Sequence, residues 1–173
     1  IGSVKNALLF LKQEFLISNK KEDIAASSHL ILPGVGAFGE GMQALEKFGL
    51  VEILGRQVLE KKKPFLGICL GMQLAAGWSE EHGTHAGLGW IDARVVRFSG
   101  IPESFKIPHM GWDDVRFARE TPLFIGLDSP TTFYFVHSYH VVPADQNIVT
   151  GTCDYGREFV AAISTENLHL VQF

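Results

Sequence analysis

The sequence is poor in cysteine, has no excess of basic charge and contains no long apolar run. Only Cys69 and Cys153 occur among 173 residues. That is too few for a disulfide framework, and a reducing, cytoplasmic setting is expected. The formal net charge is −4, which argues against nucleic acid as a partner, since its binders are usually basic. No apolar stretch reaches the roughly 18 residues of a membrane span. The opening "IGSVKNALLFLKQEF" lacks the basic, apolar and small-residue regions of a signal peptide, so no membrane partner is expected. No Cys/His spacing suits zinc, and no metal or cofactor is expected.

What is present is ordinary for a globular protein: 46% hydrophobic and 20% charged residues. The length suits one domain with its own core, spanning residues 1–173. Ile1 opens the chain, and "LHLVQF" closes it within a strand pattern, so both ends read as truncated.

Val4, Leu8, Leu11 and Phe15 fall at helical spacing, which predicts a helix over residues 3–16 with Ser3 as its N-cap. "HLILPG" (29–34) reads as a buried strand stopped by Pro-Gly. A long helical pattern over 41–61 ends in Lys61, Lys62 and Lys63, where cations favour a helix C-terminus. "PFLGI" is a second buried strand and "LGMQLAAGW" a helix. Continuous apolar strands alternating with helices predict an α/β fold, with a parallel-to-mixed central sheet and helices on both faces. A strand is expected before the first helix. Beyond residue 86 the pattern turns to strands: "WIDARVVRF", "KIPHMGWDDVRF", "TTFYFVHSYHVV", "NIVTGTCDYG" and "EFVAAISTENLHLVQF".

The chemistry centres on "PFLGICLGMQLA" (64–75). Gly67 and Gly71 flank Cys69 at the seam between strand and helix. A nucleophile on such a sharp turn needs small neighbours two residues away on each side. The helix N-terminus behind it is expected to lower the thiol pKa. The Leu70 N–H is expected to face the same space as an oxyanion donor. Gln73 lies four residues on, along the same helix face. "PGVGAFG" (33–39) ends the preceding strand, and its Gly34–Val35–Gly36 backbone is a candidate second oxyanion donor. Cys153, in "GTCDYG", reads as a packing residue. A catalytic cysteine needs a base, usually histidine. None of His29, His82, His85, His109, His137, His140 and His169 is singled out by spacing. His29 and His169 read as structural strand residues, and His137 and His140 as facing opposite sides of one strand.

"LPGVGAFGEGM", "PFLGICLGMQLA", "PHMGW" (108–112) and "FVHSYH" (135–140) together resemble the class I, triad-type glutamine amidotransferases. The branch they resemble most is the glutaminase subunit of imidazole glycerol phosphate synthase, from histidine biosynthesis. The resemblance covers the whole chain and implies a flavodoxin-like fold. It implies that Cys69 attacks the side-chain amide of L-glutamine, releasing ammonia and leaving a thioester. Gly34, Val35, Gly36 and Leu70 would form the oxyanion hole. Gln73, Glu81, His137, Ser138 and Tyr139 would bind glutamine. His109, Met110 and Trp112 would face a synthase (cyclase) subunit of (β/α)8-barrel fold, which receives the ammonia and makes imidazole glycerol phosphate and AICAR. The resemblance puts the base in an H-P-E motif after a strand ending in Q-F, hence beyond Phe173. The 173 residues alone are therefore expected to be inactive, and a longer protein active. Asp113 stands where such proteins often carry Asn. Two alternatives remain: a glutaminase serving another biosynthetic synthase, and a catalytically dead relative that only binds a partner.

Overall fold

A computed structural model describes residues 1–173. Strand β1 (Leu30–Gly34) passes through helices α3 (Phe38–Lys47) and α4 (Leu50–Gly55) to β2 (Phe65–Cys69), which pairs with it in parallel. Helix α5 (Leu70–Leu74) begins directly on β2. Short strands β3 (Trp78–Ser79) and β4 (His85–Ala86) follow, then β5 (Ala93–Arg97), β6 (His109–Phe117), β7 (Thr131–His137), β8 (Tyr139–Pro143), β9 (Val149–Asp154), β10 (Glu158–Ser164) and β11 (Leu168–Val171). The main sheet has seven strands in the order β1-β2-β11-β10-β9-β6-β7. β1, β2 and β11 are mutually parallel and the remaining pairs antiparallel. A second sheet, β4-β3-β5-β8, packs beside it.

Alternation along the strands sorts the core. Leu30, Phe65, Leu168, Leu170 and Ile163 bury one sheet face against Leu70, Met72 and Leu74 of α5 and Phe38, Met42 and Leu45 of α3. The intervening residues Leu66, Ile68, Val171 and Ala162 pack on the other face with Phe124 and Phe117. Burying one such large apolar side chain contributes roughly 1.5–3 kcal/mol.

Both helical expectations change at their ends. The first helix, α1, covers Gly2–Phe10 only; it starts at Ile1 with no side-chain cap, rather than at Ser3, and buries no residue. With none of its apolar stripe buried, the pattern through Phe15 has little to hold it in helix. α2 (Lys21–Ala26) was not anticipated. The long helix expected over 41–61 is broken at Gly49, whose φ of 64° lies in the left-handed region. It resumes as α4 and finishes in a π-helical turn, Arg56–Glu60. His29 lies just outside β1, hydrogen-bonded to the Ser28 hydroxyl.

β1 is an edge strand with Ile31 exposed on it. Beside it lies a cavity of about 970 Å³, lined by Val4, Leu8, Leu16, Ile17, Ile24 and Ile31 among others.

Candidate active site

Gly34 and Cys69 are register partners at the carboxyl ends of β1 and β2. The glycine-rich loop and the cysteine turn therefore meet at one sheet end, as expected for an open parallel sheet. Cys69 ends β2 and caps α5 with φ 55° and ψ −111°, a conformation that side-chain-bearing residues rarely adopt. Such strain costs on the order of 1–3 kcal/mol and gathers at functional sites. The flanking glycines permit it. A Cβ on Gly67 would lie 2.7 Å from the Gly71 carbonyl oxygen, and one on Gly71 would overlap the Leu32 carbonyl oxygen. Gly34 is similarly close to α5, with Leu70 Cβ 2.9 Å from any added methyl.

The Cys69 thiol is partly exposed, whereas Cys153 is buried with its pKa pushed up to about 12, chiefly by burial. Contrary to the expected lowering, burial pushes the Cys69 pKa up as well; hydrogen bonds from the Leu70 N–H and the Gln172 amide oppose it in part. α5 is only five residues long, so its dipole is weak against the desolvation of the sulfur. The Leu70 N–H does share space with the sulfur, as the turn geometry requires. Val35 is exposed at the loop tip, and Gly36 has φ 100°.

The residues expected to contact glutamine are arranged as follows. Gln73 is buried; its Nε2 donates to the Tyr139 carbonyl at 3.0 Å and to Gln172 Oε1 at 3.1 Å. Gln172 Nε2 in turn donates to Cys69 Sγ at 3.7 Å. Gln73 thus reaches the sulfur through Gln172. The Phe38 N–H donates to Glu81 Oε2 at 2.7 Å, so Glu81 pins the start of α3 just after the glycine loop. The Ser138 carbonyl accepts from the Phe98 N–H at 3.0 Å. His137 is buried, its Nδ1 donating to the Tyr139 carbonyl at 2.8 Å. His137 and His140 were expected on opposite sides. The strand breaks at Ser138, and both rings pack on Phe98, at 5.2 and 4.8 Å between centroids.

Met110 and Trp112 lie on the outer face of β6, 60% and 72% exposed, opposite Val136 and Tyr134 of β7. His109 does not join them. It is 0% exposed, because strand alternation turns it to the inner face, where it stacks on Phe135 and Tyr155. Gln172 was missed by sequence reasoning. The one signal available was an amide side chain at the end of the otherwise apolar strand "LHLVQF". No histidine of these residues hydrogen-bonds Cys69, whose side-chain partner is Gln172.

Comparison with known proteins decides the family. The model of the family "Glutamine amidotransferase class-I" matches residues 5–173. The chain belongs to the class-I glutamine amidotransferases. Among the relatives of this amidotransferase, imidazole glycerol phosphate synthase subunit HisH 2 of Pseudomonas aeruginosa is 45% identical over 173 residues, covering 100% of this chain and 85% of the relative. Subunit HisH of Moorella thermoacetica is 46% identical over 171 residues, covering 99% and 80%. A crystal structure of a glutamine amidotransferase superposes with a TM-score of 0.74 at 19% identity, covering 98% of this chain and 82% of the other. One from Thermotoga maritima gives 0.67 at 19% identity, covering 98% and 68%. These two structures share the amidotransferase's fold, and the HisH proteins share its sequence along nearly its whole length.

Proposed function

We propose that this amidotransferase is the glutaminase subunit of an imidazole glycerol phosphate synthase and serves histidine biosynthesis. The observation that carries the reading is the strained Cys69 turn between two obligatory glycines, in a chain about 45% identical to HisH subunits along its length. Cys69 is the nucleophile. Its thiolate adds to the side-chain amide carbon of L-glutamine, and the charge moves to the amide oxygen. The Leu70 N–H and the Gly34–Val35–Gly36 backbone receive that oxyanion. Collapse breaks the C–N bond; the nitrogen, protonated by the general acid that the family resemblance assigns to a histidine, leaves as ammonia, and water then hydrolyses the glutamyl thioester to glutamate and the free thiol. Glu81 holds the end of the glycine loop through the Phe38 N–H. Gln73 and Gln172 orient the sulfur's surroundings. The Ser138–Tyr139 backbone borders the site for the amino-acid end of glutamine.

The exposed Met110, Trp112, Tyr134 and Val136 form an apolar face suited to docking a barrel-shaped synthase subunit in a cytoplasmic heterodimer. That subunit uses the ammonia in a lyase-type ring closure. The test is labelling by a glutamine-analogue electrophile in the complex with the synthase subunit. Modification at Cys69, prevented by excess glutamine and lost in Cys69→Ala, is expected. Modification at Cys153 instead overturns the reading.

A further inference from the structure

Behind the site, four groups make a line of three close contacts that needs more protons than its rings supply. His137 Nδ1 lies 2.8 Å from the Tyr139 carbonyl oxygen, His137 Nε2 lies 3.2 Å from His109 Nδ1, and His109 Nε2 lies 2.7 Å from Asp113 Oδ2. Each link requires one hydrogen between its two heavy atoms. A carbonyl only accepts, so the first hydrogen sits on His137 Nδ1. A neutral His137 then presents a bare Nε2, which takes its hydrogen from His109 Nδ1. A neutral His109 is left with a bare Nε2 facing a carboxylate, two acceptors at 2.7 Å. Two neutral rings supply two hydrogens for three links. Placing the charge on His137 instead does not change the count. The line closes only with one added proton.

The surroundings fix where that proton goes. His109 is enclosed by Phe98, Phe135, Phe159 and Tyr155. The Tyr155 hydroxyl is occupied, donating to the Lys106 carbonyl at 2.8 Å. His140, on β8, lies beyond His137, and Arg157 and Glu80 act on it in opposite senses. Asp113 is the only charged group in direct contact with His109, and its side chain is 39% exposed. Burial lowers the His109 pKa and Asp113 opposes that lowering. At the far end, the Tyr139 carbonyl accepts from both His137 and Gln73, and Gln73 leads through Gln172 to the sulfur.

We propose that Asp113, His109 and His137 form a proton-completed relay that positions Gln73, and through Gln172 the Cys69 thiol, so that all three are positioning residues for the glutaminase site. The inference rests on the functional reading only for its last link; the proton count stands on geometry alone. As pH falls, the relay takes up its third hydrogen at His109 and closes. Above that titration the carboxylate faces a lone pair, and the line is broken at its solvent end. Asp113→Asn supplies the missing hydrogen from its own amide, so the line closes with both rings neutral.

The experiment is 15N NMR of the imidazoles in the parent and in Asp113→Asn, with the Cys69 alkylation rate followed across the same pH range. In the parent, His109 is expected to pass from the neutral Nδ1–H form to imidazolium on acidification, and the alkylation profile to show an inflection at the same midpoint. In Asp113→Asn the His109 midpoint falls by about one unit or more, as loss of an adjacent opposite charge demands, and that inflection disappears. Asp113→Ala, which leaves the bare nitrogen to water, also lowers the His109 midpoint but does not restore the closed line, and serves as the packing control. A His109 midpoint unmoved by Asp113→Asn overturns the proton count. A moved midpoint with an unmoved alkylation profile overturns the positioning role while leaving the glutaminase reading intact.

Discussion

A Cβ on Gly71 would overlap the Leu32 carbonyl oxygen, a backbone atom that cannot rotate away. Gly71→Ala is therefore expected to push α5 off β1 and cost more than about 4 kcal/mol, the range reserved for severe overpacking; urea unfolding measures it. A loss near 1 kcal/mol contradicts the close approach. Gln172 offers a subtler case. Its amide donates to the Cys69 sulfur and accepts from Gln73, and it is fully buried. Gln172→Ala removes one of the two hydrogen bonds that counter the burial-raised thiol pKa. Alkylation of Cys69 at neutral pH should slow, and its midpoint should move upward. Leaving the Gln73 amide short of one acceptor should cost about 1–3 kcal/mol. A faster alkylation in that variant contradicts the assigned direction.

At the scale of elements, β6 and β7 present two chemically distinct faces from one alternating pattern. Trp112 is exposed and packs edge-on to Tyr134, so its removal takes little from the core. Trp112→Ala should leave Tm nearly unchanged yet weaken synthase-subunit binding by about tenfold or more, the usual effect of losing an aromatic anchor; calorimetric titration and a melting curve distinguish the two. How much was legible in the sequence follows from how local each signal is. The strands from β5 to β11 showed as apolar runs, and the Cys69 turn showed as glycines two residues apart from a cysteine. Both are patterns within a dozen residues. Gly49 was visible, but not that it would take φ 64° and split α3 from α4. α1 shortened because nothing packs on it. The pairing of Gln73 with Gln172 spans 99 residues, and that of His109 with His137 spans 28. No spacing rule reaches across such distances. Sheet register sets His109 opposite His137, and the return of the last strand beside β2 brings Gln172 to Gln73.

For the whole molecule, buried imidazoles set the acid limit. Burial holds the His137 pKa down at about 3 and that of His140 at about 4, against 6.5 for a free ring. The unfolded chain therefore binds protons that the folded one refuses. Their stabilising contribution is whole above pH 6.5. It is lost as pH falls below that value, until the folded rings themselves titrate near 4 and 3. Tm should decline steadily over that interval, and His140→Gln should flatten the decline. A Tm that rises on acidification through the same interval reverses the sign and contradicts neutral burial. A last consequence belongs to β1. Its outer row of backbone donors and acceptors is unpaired, and the largely apolar hollow lies alongside. An extended segment laid along that margin would satisfy those groups and cover Ile31.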